Sequence, residues 1–265
     1  MKSQPTININ SDLRRLKSGE DELNNQYFNQ VAEQVQSNGT NGAAKIIQSF
    51  PRWIRQLDIT RFLVYYEIFK KILDVHGSIC EIGILHGNCT FSMAQFSEIL
   101  EPRNYTREII GFDTFKGHTL DFDPKDSMDD SEIDLFKSLN PDTVSTEEEI
   151  YQSAELFEKT KSLPQFQKIK LVSGDATQTI PKYVNDNPGL IVSMIILGTD
   201  IYSPTSAALK FLYPLMPKGG LVLLCNANFG PYPGETQALI DEIGLGNIHL
   251  HRFDFATKWS YFIKP

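Results

Sequence analysis

The chain has 265 residues, 41% hydrophobic and 22% charged, proportions that fit one globular domain with an N-terminal extension. A formal charge of −8 opposes a broad basic footprint for nucleic acid, and no apolar run approaches the roughly 20 residues of a membrane helix. The opening Met1-Lys2-Ser3-Gln4-Pro5 lacks the apolar core of a secretory signal, and Cys80, Cys89 and Cys225 lack the spacing of a zinc cage or disulfide framework, so a cytoplasmic protein with reduced thiols is expected.

In chain order, residues 1–57 form a polar extension in which Asn38-Gly39-Thr40-Asn41-Gly42 predicts a turn. From Asp58 to Val75, the apolar positions Ile59, Phe62, Leu63, Tyr66, Phe69, Ile72 and Leu73 recur at three- and four-residue steps, the mark of an amphipathic helix. Strands are then predicted at 78–82, 108–113, 168–173, 190–197, 220–225, 247–253 and 258–264. Helices are predicted at 89–100, 146–160, 177–186, 204–216 and 235–243. Pro204 suits the start of its helix, and Gly219-Gly220 suits the exit into the next strand. Alternating strands and helices predict an α/β fold with a mostly parallel sheet and helices on both faces. Only Asp254 to Thr257 separate the last two strands, which requires an antiparallel hairpin. The expectation is a seven-stranded sheet whose last strand is antiparallel, in a domain spanning 58–265.

Residues 116–145 break this rhythm. They are acidic, contain Pro124 and Pro141, and have no sustained period. Long irregular segments in compact domains are functional lids or solvated insertions, and a position after the second strand favours a lid.

Two apolar runs end in acids. Ile79-Cys80-Glu81 leads into Gly83 and Gly87, and Ile109-Ile110-Gly111-Phe112 leads into Asp113. Open α/β sheets bind ligands at the carboxyl ends of their strands. Glycines there let the backbone approach a ligand, and a helix starting near Asn88 aims its positive end at a carboxylate or phosphate. Asp113 is placed to accept ribose hydroxyls. Gly174-Asp175-Ala176 adds a third acid, which can accept from an adenine amino group or cap the following helix.

The ordered motifs Glu-x-Gly-x-x-x-Gly, Gly-Phe-Asp-Thr-Phe, Gly-Asp-Ala, Asp-Ile-Tyr-Ser-Pro-Thr, Met-Pro-Lys-Gly-Gly and Tyr-Pro-Gly-Glu-Thr resemble one group of proteins. They match the macrocin O-methyltransferase-like (TylF/MycF-type) group of class I S-adenosylmethionine-dependent methyltransferases. The resemblance runs from about Phe50, through Arg61-Phe62-Leu63, to the C-terminus. It implies a Rossmann-like fold and a cofactor set in which Glu81, Gly83 and Gly87 line the methionine end and Asp113 binds the ribose. Asp175 and Ala176 lie near the adenine, and Ile84, Asn88, Thr114 and Gly174 complete the set.

The same resemblance implies a magnesium site from an acid after the fourth strand and an acidic pair after the fifth. Here those positions hold Gly198, Cys225 and Asn226. A glycine, a thiol and a neutral amide are poor partners for magnesium, which prefers hard oxygen donors. No metal is therefore expected, and Asp200 is the candidate base.

Tyr202 and His118 are candidate substrate contacts, Tyr202 by stacking and His118 at the opening of the acidic segment. Phe229, Tyr232 and Trp259 are further aromatic candidates for stacking, with packing as the other reading of each. His86 is a second candidate base or a solvent-facing loop residue. His249 and His251 share a strand face and lack a third ligand nearby. Glu235 suits a helix start by its charge. Arg52, Arg55 and Arg61 are candidates for an anionic substrate tail.

The expected partner is a small-molecule acceptor, methylated at a hydroxyl or amine and belonging to a natural-product sugar or nucleotide-sugar. No nucleic acid or membrane is expected, and a homo-oligomer is compatible with the sequence. The alternatives are a catalytically inactive S-adenosylmethionine-binding homologue and a Rossmann dehydrogenase. The dehydrogenase is disfavoured because the first loop lacks G-x-G-x-x-G.

Overall fold

A computed structural model describes residues 20–117, 122–126, 145–230 and 232–265. The chain divides into two compact units, Met1–Thr60 and Arg61–Pro265. In the first unit, helix α1 (Glu20–Gln48) is interrupted at Gly39, whose φ of 53° and ψ of −133° leave the helical region. The turn expected at 38–42 is thus a break within a helix. Arg55 pairs with Asp58 at 2.8 Å and lies over the Phe28 ring.

Helix α2 (Gln56–Lys70) crosses into the second unit and buries Val64, Tyr65, Ile68 and Phe69. The apolar stripe read from the sequence included Phe62, Leu63 and Leu73, all of which are exposed. The core-facing stripe is rotated from the expected one, and the helix stops at Lys70 because Lys71 and Ile72 close three-residue turns onto Ile68 and Phe69.

The sheet has the order β3-β2-β1-β4-β5-β7-β6. Its strands are β1 (Ser78–Ile82), β2 (Ile109–Asp113), β3 (Ile169–Ser173), β4 (Val192–Leu197), β5 (Leu221–Leu224), β6 (His251–Phe253) and β7 (Ala256–Ile263). Strands β1 to β5 pair in parallel, and β7 is antiparallel to both β5 and β6. The last strand therefore slots between β5 and β6. β6 is shorter than expected: Gly244, at φ 80°, ends the preceding helix, and Leu245–Asn247 forms a 3-10 turn in place of extended chain.

The crossovers are α3 (Asn88–Leu100), α4 (Glu147–Thr160), α5 (Ala176–Asp186), α6 (Tyr202–Phe211) and α7 (Gly234–Glu242). Helix α4 begins with a reciprocal cap, in which Thr146 Oγ1 accepts the Glu149 N–H and Glu149 Oε2 accepts the Thr146 N–H. Such a cap stabilises a helix by about 1 kcal/mol. Helix α6 starts two residues before Pro204, so the proline sits inside its first turn, where its missing N–H has no intrahelical partner to lose. It ends at Phe211, and a 3-10 turn at Tyr213–Leu215 replaces its expected last turn.

Alternation along the strands divides the core in two. Ile79, Ile109, Ile196 and Leu223 pack with α2, α3 and α4, whereas Ile82, Phe112, Leu197 and Val222 pack with α5, α6 and α7. Fully burying a side chain such as Phe112 contributes about 1.5–3 kcal/mol. This double-sided burial keeps the strand ends in register, with Ile82 level with both Phe112 and Leu197. The central reversal of strand order falls between β1 and β4. Among the described residues no helix is long and apolar enough to cross a membrane.

Candidate functional site

The carboxyl ends of β1 and β4 touch at two glycines. Gly83 has φ +88°, and a Cβ built there would stand 2.9 Å from the Gly198 carbonyl oxygen. The Gly83 N–H donates to the Phe112 carbonyl and the Gly198 N–H to the Ile82 carbonyl, so three strand ends are stitched together. The loop then turns through Leu85, at φ +53°, and Gly87, at φ +79°. A Cβ at Gly87 would meet the Phe91 ring at 2.7 Å. Gly87 caps α3 without a side-chain acceptor, leaving the first-turn N–H groups beginning at Asn88 unserved by a cap.

Asp113 governs this loop. Its Oδ2 accepts the N–H groups of Ile84 at 2.6 Å and Leu85 at 3.0 Å, and its Oδ1 accepts that of Phe115 at 2.8 Å. The Ile84 side chain turns inward against Gly111, so Ile84 serves the loop through its backbone and its packing. Thr114 closes the next turn, donating to the Gly117 carbonyl. Gly174, at φ +129°, donates its N–H to the Asp113 carbonyl. Asp175 is the N-cap of α5, its Oδ1 accepting from Thr177 N and Oγ1, while Ala176 opens that helix. Glu81 is buried and accepts a short hydrogen bond from Thr90 Oγ1. Burial pushes its carboxyl up to about 8, opposed by the Thr90 hydrogen bond and reinforced by the negative charge of Asp113.

A second cluster lies past β4 and β5. Asp200 is held at φ +65°, a backbone conformation that side chains other than glycine rarely adopt. Its Oδ1 accepts a short hydrogen bond from Asn226 Nδ2. The Asn226 N–H donates in turn to Glu235 Oε1 at 2.8 Å. Glu235 is fully buried; burial and then the charge of Asp200 push its carboxyl up to about 8, against the hydrogen bond from the Asn226 N–H. The Cys225 thiol is driven well above its ordinary range by burial, with Glu235 and Asp200 adding to the effect. Asn228, at φ +61°, donates its N–H to Thr236 Oγ1. Strained backbone at both strand ends marks this edge as one where the surrounding structure dictates conformation.

Residues 65–238 match the macrocin-O-methyltransferase (TylF) family. The chain belongs to that family. No curated protein sequence matches it. Among solved structures it is similar to the calicheamicin methyltransferase CalS11, with 24% identity and a TM-score of 0.79 over 90% of this chain and 91% of that one. The apo structure of CalS11, described as a TDP-rhamnose 3'-O-methyltransferase of calicheamicin biosynthesis, gives 22% identity and a TM-score of 0.73 over 90% and 93%. The O-methyltransferase NovP gives 17% and 0.59 over 78% and 80%. These likenesses fix the fold as that of a class I Rossmann-like methyltransferase.

The strand edge fits the S-adenosylmethionine cofactor that the resemblance to this family implies. The uncapped α3 N-terminus suits a carboxylate, and the turn through Gly83 and Gly87 keeps side chains off the backbone. Magnesium does not fit the donors present. Gly198 has no side chain, Cys225 offers a soft sulfur where magnesium prefers hard oxygen, and Asn226 turns an N–H toward Asp200. Among the described residues no group of three His, Cys, Asp or Glu is disposed to hold a metal ion.

The remaining candidates are placed as follows. The Tyr202 phenol accepts from Lys125 and donates to Asp241, with Lys125 also over its ring, so both the hydroxyl and one ring face are engaged. His118 and most of the acidic segment lie outside the described residues. His86 meets Ser145 Oγ at 3.1 Å. His249 and His251 stack at 4.3 Å, and His251 stacks on Tyr261, an aromatic column that makes them packing residues. Trp259 packs edge-on against Tyr65, and Phe229 against Tyr232.

Sequence reasoning missed the burial of Asp126, the Asn226–Asp200 hydrogen bond and the burial of Glu235. Asp126 is 1% exposed; it accepts the Tyr202 N–H and anchors the short turn Pro124–Asp126 at the start of α6. Gly234 was the available signal for this contact, since any Cβ there would collide with the Asp126 carboxylate.

Proposed function

We propose that the protein is an O-methyltransferase that transfers a methyl group from S-adenosylmethionine to a hydroxyl of a natural-product sugar or nucleotide-sugar, with Asp200 as the base and without a metal. The observation that carries this reading is Asp200 itself. It is an acid at positive φ past the β4 end, held through Oδ1 by the Asn226 amide, beside the Gly83–Gly198 contact that joins it to the loop after β1. The family membership supports methyl transfer. The descriptions of CalS11 and NovP support a hydroxyl acceptor, and that of CalS11 a nucleotide-linked sugar.

When bound, S-adenosylmethionine supplies an activated methyl group on a positively charged sulfur. The chain's own residues then have three tasks. The Gly83–Gly87 turn and the α3 N-terminus receive the amino-acid end of the cofactor, and Asp113 holds that turn closed by accepting its N–H groups. Asp175 and Ala176 border the base end. Asp200 accepts the proton of the sugar hydroxyl as that oxygen becomes nucleophilic, an effect of about 100- to 10,000-fold. Alignment of the two reactants accounts for up to about 7–11 kcal/mol of the barrier.

The loss of acids at Gly198, Cys225 and Asn226 favours a second reading, an inactive cofactor-binding homologue. Incubation with methyl-labelled S-adenosylmethionine and TDP-rhamnose-type acceptors, with and without EDTA, separates the two. Methyl transfer that survives EDTA is the expected result. Activity abolished by EDTA and restored by magnesium refutes the metal-free mechanism. Cofactor binding without turnover on any sugar acceptor favours the inactive homologue.

A further inference from the structure

Beside Asp200, two buried oxygens stand without partners. Among the described residues neither Asn226 Oδ1 nor Glu235 Oε2 has a hydrogen bond, although Asn226 is 2% exposed and Glu235 0%. A buried polar atom left unpaired loses its water without replacement, so such atoms normally have a partner. The other polar atoms of the same two side chains are committed. Asn226 Nδ2 donates to Asp200 Oδ1, and Glu235 Oε1 accepts the Asn226 N–H at 2.8 Å. The Asn226 amide is not free to turn over, because its oxygen would then face the Asp200 carboxylate. The 2.8 Å bond from the Asn226 N–H to Glu235 Oε1 brings the two residues together, and one proton shared between two leftover acceptors serves both.

We propose that Glu235 is a neutral carboxylic acid that donates its Oε2 proton to Asn226 Oδ1, and that Glu235 and Asn226 together form a clamp that aims the Asn226 amide at Asp200 and fixes that carboxylate. The chain of donors runs from Glu235 O–H to the Asn226 side-chain oxygen, and from Asn226 Nδ2–H to Asp200 Oδ1. No proton leaves Glu235 in the process. Full burial acts in the same direction, since a neutral acid is far cheaper to enclose than a carboxylate. Both residues are positioning residues, and their catalytic consequence rests on the reading of Asp200 as the base. The clamp itself does not.

Three measurements test it. Infrared difference spectra of wild type against Glu235→Gln at neutral pH should show a protonated-carboxyl band in the wild type that the variant lacks; a carboxylate difference overturns the proposal. In thermal unfolding, the losses from Asn226→Ala and Asp200→Ala should be less than additive in the double variant, because each breaks the same bond. Strict additivity overturns the clamp. Glu235→Gln retains an oxygen for the Asn226 N–H and an N–H for the Asn226 oxygen, so it should keep kcat within about threefold, while Glu235→Ala lowers kcat about 10- to 100-fold with S-adenosylhomocysteine affinity unchanged. A folded glutamine variant as impaired as the alanine variant overturns the proposal. The spectra and the unfolding cycle report on the clamp even if the wild type methylates no acceptor, so its failure and that of the proposed activity are distinguishable.

Discussion

Asp113 accepts the Ile84 N–H at 2.6 Å across 29 residues of sequence, fastening the turn after β1 to the end of β2. The same oxygen holds the Leu85 N–H, and its partner oxygen holds that of Phe115. Asp113→Ala removes three charge-assisted hydrogen bonds at once. Hydrogen bonds to a charged group contribute about 1.5–3 kcal/mol each, and partly exposed N–H groups recover some of that from water. The expected outcome is an affinity for S-adenosylhomocysteine lowered about 10- to 100-fold in calorimetry. Unchanged affinity would mean that the turn closes without Asp113.

Gly83→Ala tests the close approach of β1 and β4. The position has φ +88°, and the new Cβ would stand 2.9 Å from backbone, the Gly198 carbonyl oxygen, so no side chain can yield. Strain of this kind costs about 1–3 kcal/mol, read as a shifted urea midpoint. Gly189→Ala is the control, because nothing lies within 4 Å of its Cβ. It should be neutral within about 0.5 kcal/mol.

The contrast between these glycines explains what was legible in the sequence. Gly83 and Gly87 announced themselves because a turn that needs positive φ selects glycine. The strands of the double-sided core were legible as uninterrupted apolar runs, and the hairpin from the shortness of its connection. The phase of α2 was not, because Phe62 and Leu63 look as apolar as the buried Val64 and Tyr65, and only the tertiary partner selects the buried face. Long-range polar contacts leave no local period. Arg107, at 3% exposure, donates to Glu101, Ser193 and the carbonyls of Gly77, Ile72 and Val75, a network invisible as spacing. Asp175 was readable as a cap or a ligand, and its cap is realised. Asn226 was readable as a lost metal ligand, whereas its bond to Asp200 depends on two strand ends meeting.

Asp200→Asn removes the base and leaves the donor half untouched. Methyl transfer to a sugar acceptor should fall about 100- to 10,000-fold, with S-adenosylhomocysteine affinity unchanged. The asparagine introduced at position 200 can present its own amide oxygen to Asn226 Nδ2 and keep that hydrogen bond, so unfolding temperature should hardly move. A variant that retains full kcat would move the base elsewhere, with His86 the next candidate in the loop after β1.

Two buried carboxyls give the stability a pH dependence whose sign is fixed. Glu81 and Glu235 are each pushed by burial from an ordinary 4.5 up to about 8. The folded chain therefore holds a proton at each that the unfolded chain has released at neutral pH. Stability that depends on these protons is full below about pH 4.5, erodes as pH rises, and is lost through about pH 8, by up to about 1.4 kcal/mol per pH unit for each group. Glutamine removes the titration while keeping the shape. Between about pH 6 and pH 9, wild type should thus lose stability relative to the Glu81→Gln/Glu235→Gln double variant, measured as the difference in urea midpoints across the range. A flat difference would mean that the folded state holds both groups as carboxylates across this range, and that their hydrogen bonds from Thr90 and from the Asn226 backbone outweigh burial.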